Sequence, residues 1–482
     1  MKVRRISKLI IAGFFCTLFN ACDVLDVEPE SQISGEQFWQ SNADLETGIA
    51  AIYDALQTAL RTNYWHWGEA RSDNFGLTEK PGVNANQLLF NALDPTAPSA
   101  EWQQLYRVIS FANLAIENGE RLSNADPDLL GEAYALRAFA YFYAIRIWGD
   151  VPLFTEAITN LDQELIKGQT SSTVIFDQVI LPDLQKAQEL ITSQSRHTRL
   201  SRGGVLALLA HAYMWDDNPD EAINVITDLE NLNEYDLAED RDEWVNMFLD
   251  DAGSELIFSL KWQLDEDGNS QAQSMLNDGS PEYIYSSTLL EKWLTSFPND
   301  SVTWAALYPD FIDGREEFGD WRMFESINFL PLPWDRDNFR TTLKYLKQIG
   351  MDDNRDLDDR DYPIFRFAGI LLLKAEAYAL SGNRDQAIDY LNRIRAAREL
   401  PTFDGDELSI NSLSKLLNTI LDERQFELYA EGHRWFDLRR NNKVLEVLGP
   451  INGFTDEGRF LWPVSLEAME RNSKLIQNEA YR

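Results

Sequence analysis

GGVLALLAHAYMWDDNPDEAINVITDL (Gly203–Leu229) and KAEAYALSGNRDQAIDYLNRI (Lys374–Ile394) share one pattern. The first carries Ala210, Tyr213, Asn218, Asp220, Ala222, Ile223 and Ile226. The second carries Ala375, Tyr378, Asn383, Asp385, Ala387, Ile388 and Leu391, with every spacing kept. A-x-x-Y on one helix, a short turn and an Ala in the next is a tetratricopeptide-like helical hairpin. Small Ala residues let two antiparallel helices approach, and Tyr fills the groove beside them. Asn218 and Asn383 stand where a second helix is capped, and Pro219 suits its first position. Ala138 with Tyr141 begins a more degenerate copy, and Ala50 with Tyr53 a fourth.

Working outward, Ser41 and Asp44 form an S-x-x-D capping box before a helix over about 43–60. Further helical patterns fall near 100–122, 128–148, 171–192, 202–215, 219–230, 362–381, 384–399, 411–431 and 464–471. Phe367–Leu380 reads as a buried amphipathic helix interrupted by Lys374 and Glu376. Strand signals are few: Glu255–Trp262 (ELIFSLKW) and weaker ones near 459–464. The fold class is therefore mainly α, with tetratricopeptide-like hairpins forming a scaffold and little β. Residues 231–360 are rich in Asp, Asn, Gly, Pro and aromatics, and read as a loop-rich insertion around short helices. Long loops on a rigid scaffold are where binding residues tend to sit.

The start of the chain reads as an export signal. Lys2, Arg4, Arg5 and Lys8 precede an apolar run, Leu9–Phe19, which is shorter than the roughly 20 residues of a spanning helix. Ala21 then precedes Cys22, as in a lipobox, where the thiol accepts a diacylglycerol and the leader is removed. The expected organisation is a signal peptide over 1–21, an acidic tether over 22–40 and one helical body over 41–482. That body divides into 41–230, the insertion 231–360 and a C-terminal part, 361–482. Cys16 lies inside the apolar run, so after cleavage Cys22 is the only cysteine. No internal disulfide or cysteine metal cluster is expected.

The net charge is −36, and about −40 without the four basic leader residues. Such a chain repels nucleic acid, and no basic tract offsets this. Membrane attachment is therefore expected through the lipid alone. Four histidines fall at no metal-ligand spacing, and no P-loop, G-x-S-x-G or G-x-G-x-x-G occurs. Neither metal nor cofactor is expected, and Asp352–Asp361 reads as a solvated acidic turn. Two acids can still meet in space from anywhere, so an (α/α) toroid glycosidase stays open as an alternative. In DERQFELYAEGHRWFDLRR (Asp422–Arg440), Glu423, Glu427 and Glu431 interleave with Arg424, Arg434, Arg439 and Arg440. The expected reading is a buried ion-pair network between helices, each acid having an Arg within one or two turns.

That segment resembles the E-R-x-x-E-L-x-x-E-G-x-R-W-x-D-L-R-R signature of the SusD/RagB family. Three other blocks are similar to family motifs: LRAFAYFYAIRIWGDVPLF (Leu136–Phe154), YPIFRFAGILLLKAEAYAL (Tyr362–Leu380) and FLWPVSLEAMERNSKLIQNEAY (Phe460–Tyr481). The resemblance implies a non-enzymatic surface lipoprotein of the outer membrane in Bacteroidetes-type bacteria. It would cap a SusC-like TonB-dependent transporter and capture a nutrient, usually an oligosaccharide; peptide capture by the same architecture is the alternative. A helical-repeat scaffold that binds only proteins is a further one. Asp23, Asp26 and Glu28 resemble the surface-export signal of such lipoproteins.

Sugars stack their C–H faces on aromatic rings while Asp, Asn and Arg hold their hydroxyls. Two stretches have that composition in expected loops. In NYWHWGEARSDNFG (Asn63–Gly76), Tyr64, Trp65 and Trp67 are expected to form a platform, with Arg71, Asp73 and Asn74 supplying hydrogen bonds. In Tyr283–Trp334, the candidates are Tyr283, Tyr285, Trp304 and Trp321, with Trp334 at the end of the stretch.

Overall fold

The computed structural model describes residues 38–78, 83–160, 162–194, 197–249, 253–263, 266, 271–276, 282–297, 319–327, 342, 344–345, 360–403 and 413–482. Cys22, most of the tether, Trp304, Trp334 and most of Asp352–Asp361 lie outside them.

The helices that build the body are α1 (Asn42–Leu60), α2 (Asn63–Gly68), α3 (Gln103–Gly119), α4 (Pro127–Trp148), α5 (Leu181–Leu190), α6 (Arg202–Trp215), α7 (Pro219–Glu230), α8 (Ser287–Ser296), α9 (Phe367–Leu380), α10 (Arg384–Ala397), α11 (Leu413–Glu427) and α12 (Arg434–Arg440). Packing runs neighbour to neighbour: α1 on α3, α3 on α4, α4 on α5, α5 on α6, α6 on α7, α7 on α9, and α9 on α10 and α11. Each apolar helix face is thus covered by the next pair, the logic of a repeat array.

The two hairpins read from the sequence form with the same turn. Asp217 and Gly382 take equivalent left-handed positions, φ 55° and 81°. The next amide reaches back five residues, Asn218 N to Tyr213 O at 2.9 Å and Asn383 N to Tyr378 O at 2.8 Å, closing a Schellman motif in both. The caps differ. The Asn383 side chain accepts from Gln386 N, whereas Asn218 caps through no side-chain bond. Glu230 joins the two hairpins by accepting from Lys374, Tyr390 and Arg393.

Several expectations need correction. Tyr362–Arg366 is a strand, not the start of a helix, because its residues are buried on both faces and pair antiparallel with Leu256–Leu260. An all-apolar run carries no periodicity that separates strand from helix. Helix α9 is buried on nearly every side rather than amphipathic. Residues 459–464 form no strand; a 3-10 turn ends at Phe460. The helix expected over 411–431 stops at Glu427, because Ala430 and Gly432 adopt positive φ. At the capping box, the Ser41 hydroxyl donates to the Asp44 carboxylate and leaves the helix amides uncapped by its oxygen. The helix near 171–192 contains a π-turn over Phe176–Ile180, where Pro182 has no N–H to give.

Among the described residues six strands form three two-stranded sheets: β1 (Phe75–Leu77) with β5 (Tyr283–Tyr285), β2 (Val151–Pro152) with β3 (Gln169–Thr170), and β4 (Leu256–Leu260) with β6 (Tyr362–Arg366). No described helix is long and apolar enough to cross a membrane.

Candidate ligand-binding face and its buried frame

The two stretches singled out for ligand binding meet in space. Phe75 pairs with Tyr285 and Leu77 with Tyr283, so β1 and β5 form one antiparallel unit. The chain leaves the unit at Leu77 and enters it at Tyr283. The unit is fastened by Asn74. Its carbonyl accepts from Ser286 N at 2.9 Å, its amide donates to Glu69 at 2.7 Å, and its Oδ1 accepts from Gln425 at 2.8 Å. Ser286 Oγ donates to the Asp73 carbonyl. Phe75 stacks on Tyr283 at 5.6 Å, with His66 edge-on to the same ring.

The expected platform, however, is not a surface. Tyr64, Trp65 and Trp67 are at most 2% exposed. The Tyr64 hydroxyl sits between the Pro363 and Glu431 carbonyls, Trp65 Nε1 donates to Ala430 O, and Trp67 Nε1 donates to Ser99 O. A stacking platform needs an open ring face, and these rings have none. Tyr283, Tyr285 and Trp321 are buried as well, Trp321 lying edge-on to Trp244 at 5.4 Å. Arg71 is spent on Asn91 and on the Phe460 and Arg459 carbonyls, over the face of Trp435. Asp73 is held by Arg434. The nine described candidates therefore act as frame rather than as contacts. Aromatic and polar composition cannot distinguish the two, because Trp and Tyr serve both.

The signature segment is the other half of this frame. Its acids do form a buried ion network, but with partners distant in sequence. Glu427 accepts from Arg322, Arg366 and Arg398. Glu423 accepts from Arg322 and Arg395, and Glu431 from Arg366 and Lys344. Glu255 completes the ring by pairing with Arg366 and Arg398. The arginines of the segment turn elsewhere: Arg424 to Asp437, Arg434 to Asp73, and Arg440 to Glu376 and Asp437. Glu423, Glu427 and Glu431 do not pair locally as helical spacing suggests, the helix ending at Glu427, whereas Asp437 and Arg440 do pair at i,i+3. What the sequence did show was charge inside apolar patterns: Arg366 in YPIFRF and Glu255 beginning ELIFSLKW.

Electrostatics follow from this wiring. Burial would raise the Glu427 carboxyl, but Arg398, Arg366 and Arg322 hold it well below the usual range. Burial likewise opposes ionised Asp73, and Arg434 and Lys292 overcome it. Among the described residues Glu69 has no cation partner. Burial pushes it up to about 7, against hydrogen bonds from Asn74 and from backbone amides including that of His433. All of these acids are committed to structure. Among the described residues, no group of three or more His, Cys, Asp or Glu is placed to hold a metal ion.

Comparison with known proteins agrees with this architecture. A family model described as the SusD family matches residues 336–457, and one described as starch-binding, associating with outer membrane, matches residues 23–214. A SusD-like protein of Formosa agariphila is 39% identical, over 100% of both chains. A second from that bacterium is 26% identical, over 95% of this chain and 96% of its own. Among solved structures, a SusD superfamily protein from Bacteroides vulgatus superposes with a TM-score of 0.78 at 20% identity, covering 92% of this chain and 100% of that one. Bacteroides fragilis NanU superposes at 0.71 and 21%, covering 95% and 100%. The solved structures speak for the fold; the full-length identity speaks for descent. The chain belongs to the SusD family, whose members are binding proteins associated with glycans and the outer membrane.

Proposed function

We propose that this protein captures an oligo- or polysaccharide at the cell surface and delivers it to a TonB-dependent outer-membrane transporter. In this reading it is held to the membrane by lipid on Cys22, faces the exterior, and does not turn its ligand over. The observation that carries the reading is the full-length relation to a SusD-like protein, in a chain whose first part matches a starch-binding, outer-membrane-associated family. The leader ending at Cys22 supports the anchor. The frame supports the division of labour: buried Tyr64–Asn74 and Tyr283–Tyr285 fix the β1–β5 unit, and Trp304 and Trp334 remain the aromatic candidates for ligand contact.

Calorimetric titration against a panel of polysaccharides and peptides tests it. Binding of a polysaccharide without its hydrolysis is the expected result. Binding of peptides alone would move the reading to peptide capture, and hydrolysis of any panel member would overturn the non-enzymatic assignment. Purification from native membranes is expected to bring a large β-barrel with it.

A further inference from the structure

Three arginines, Arg71 and Arg146 buried and Arg439 half-buried, stand together without a carboxylate. Arg71 lies 4.1 Å over Trp435, Arg146 lies 4.0 Å from both Phe142 and Phe436, and Arg439 lies 5.3 Å over Trp215. Among the described residues none of the three forms an ion pair, although the chain carries a net charge of −36. The neighbouring arginines 366, 398, 424, 434 and 440 all have carboxylate partners. An uncompensated buried cation is costly, and aromatic faces and carbonyls return only part of that cost. Burial, then Arg71 and Arg146, push the Arg439 guanidinium down to about 9. Its environment is short of one negative charge.

Arg439 opens onto a cleft of about 730 Å³ between the end of α4, the Gly168–Ser172 stretch and the C-terminal segment. That size lies within the roughly 300–1,000 Å³ of small-molecule sites. The guanidinium gives one hydrogen bond, Nη1 to the Arg146 carbonyl, and its other N–H groups have no hydrogen-bond partner among the described residues. The walls are apolar at Ile145, Trp215 and Leu461, while Asp150, Glu457 and Glu479 also line the cleft without pairing to Arg439. Lys474 and Arg482 line it too, Lys474 paired with Glu164 and Arg482 giving its Nε to the Gln477 carbonyl, so cations and acids in the cleft balance and a polyanion finds no net attraction. The cleft suits a ligand with one acidic group for Arg439 and several hydroxyls for the carboxylates to accept from.

We propose that this cleft binds a polyhydroxylated molecule bearing one carboxylate or one sulfate, with the acidic group on Arg439 and hydroxyls on Asp150, Glu457 and Glu479. The site is separate from the β1–β5 face, so its failure leaves the function proposed above untouched.

Calorimetry or ligand-observed NMR on the mature protein tests it with four probes: galacturonic acid, galactose 6-sulfate, galactose and inorganic sulfate. At least one sugar acid is expected to bind ten or more times tighter than galactose and than inorganic sulfate, and to weaken as salt is raised. The two sugar acids tell carboxylate from sulfate. Arg439→Gln is expected to abolish binding. Since Arg439 also ties to Arg146, a second variant keeps the test independent of folding: Ile476 lines the cleft and is 61% exposed. Ile476→Glu is expected to cost at least fivefold and Ile476→Gln nothing. Equal binding of galactose and the sugar acids, no binding of either acid, inorganic sulfate binding as tightly as both, or wild-type binding by Ile476→Glu would each overturn the proposal.

Discussion

Arg434 grips Asp73 with both arms, Nε to Oδ1 at 2.8 Å and Nη2 to Oδ2 at 3.0 Å, across 361 residues of sequence. Both side chains are buried, and the Asp73 carbonyl in turn takes Ser286 Oγ. The pair therefore joins the signature helix to the β1–β5 unit. Breaking a buried pair leaves the survivor charged and unpaired, at about 3–5 kcal/mol. Asp73→Asn is expected to lose that much in urea unfolding, and Arg434→Met less, because Lys292 at 3.5 Å still faces Asp73. The double variant should lose clearly less than the sum, because the partner of each removed charge is gone too. Single losses below about 1 kcal/mol would remove the pair from the frame.

Glu69 gives the frame a pH dependence of opposite sign. Its pKa is raised from 4.5 to about 7 by burial, so the folded state holds a proton that the unfolded chain has released. Its contribution is fully present below about 4.5 and is lost as pH rises through 7. Glu69→Gln mimics the protonated form. Relative to wild type it is expected to gain on the order of 2–3 kcal/mol between pH 5 and 8. A difference in stability that stays flat over that window would show Glu69 to be ionised in the folded protein throughout.

Two glycines separate steric demand from conformational demand. A Cβ on Gly68 would lie 2.1 Å from the Gly432 carbonyl oxygen, backbone against backbone, where α2 meets the turn before α12. Gly382 has φ +81° but nothing within 4 Å. Gly68→Ala is expected to cost more than about 3 kcal/mol or to prevent soluble expression, as overpacking at rigid backbone does. Gly382→Asn should cost about 1 kcal/mol or less, since Asn tolerates the left-handed region and Asp217 already occupies it in the other hairpin. Thermal melts of the two variants compare them directly.

The legible part of this fold was the part with a period. Helices α6 and α7 end where the sequence places them, because Ala210, Tyr213 and Ala222 recur at spacings that only a hairpin satisfies. The strand at Tyr362–Arg366 was not legible, because residues buried on both faces leave no alternation. The ion network was legible as a kind and not as a wiring. Glu423, Glu427 and Glu431 advertise buried charge, but that Arg322 and Lys344 arrive from the insertion is a long-range fact no local spacing encodes. The candidate site was the least legible. Tyr64, Trp65 and Trp67 have the composition of a sugar platform, and what removes them is the cover supplied by Tyr362, Ala430 and Ser99, far off in sequence or unremarkable in type.

Lipidation at Cys22 can be read out without the ligand. Wild type is expected in the outer-membrane fraction and to be released only by detergent. Cys22→Ala should be recovered in soluble form or with an uncut leader, with unchanged circular dichroism, because the body from Asn42 onward packs without it. Two or more acyl chains anchor stably where one does not. A Cys22→Ala protein that stays membrane-bound with its leader removed would place the anchor elsewhere.

Burial of the aromatic stretch reverses what substitution there should do. Trp65 is fully buried, edge-on to Tyr362 at 4.8 Å and to Tyr345 at 6.2 Å, and its indole N–H is paired to Ala430. Truncation to Ala removes a large core side chain, at about 3–5 kcal/mol, and leaves the Ala430 carbonyl with the Tyr345 hydroxyl as its remaining side-chain donor. A contact residue would behave otherwise: Trp→Ala would weaken ligand binding and spare stability. Trp65→Ala is therefore expected to lower the unfolding midpoint sharply. Trp65→Phe, which keeps a ring in the cavity, should hold ligand affinity within about twofold at a modest cost in stability. Affinity that falls tenfold in Trp65→Phe at unchanged stability would return this ring to the ligand.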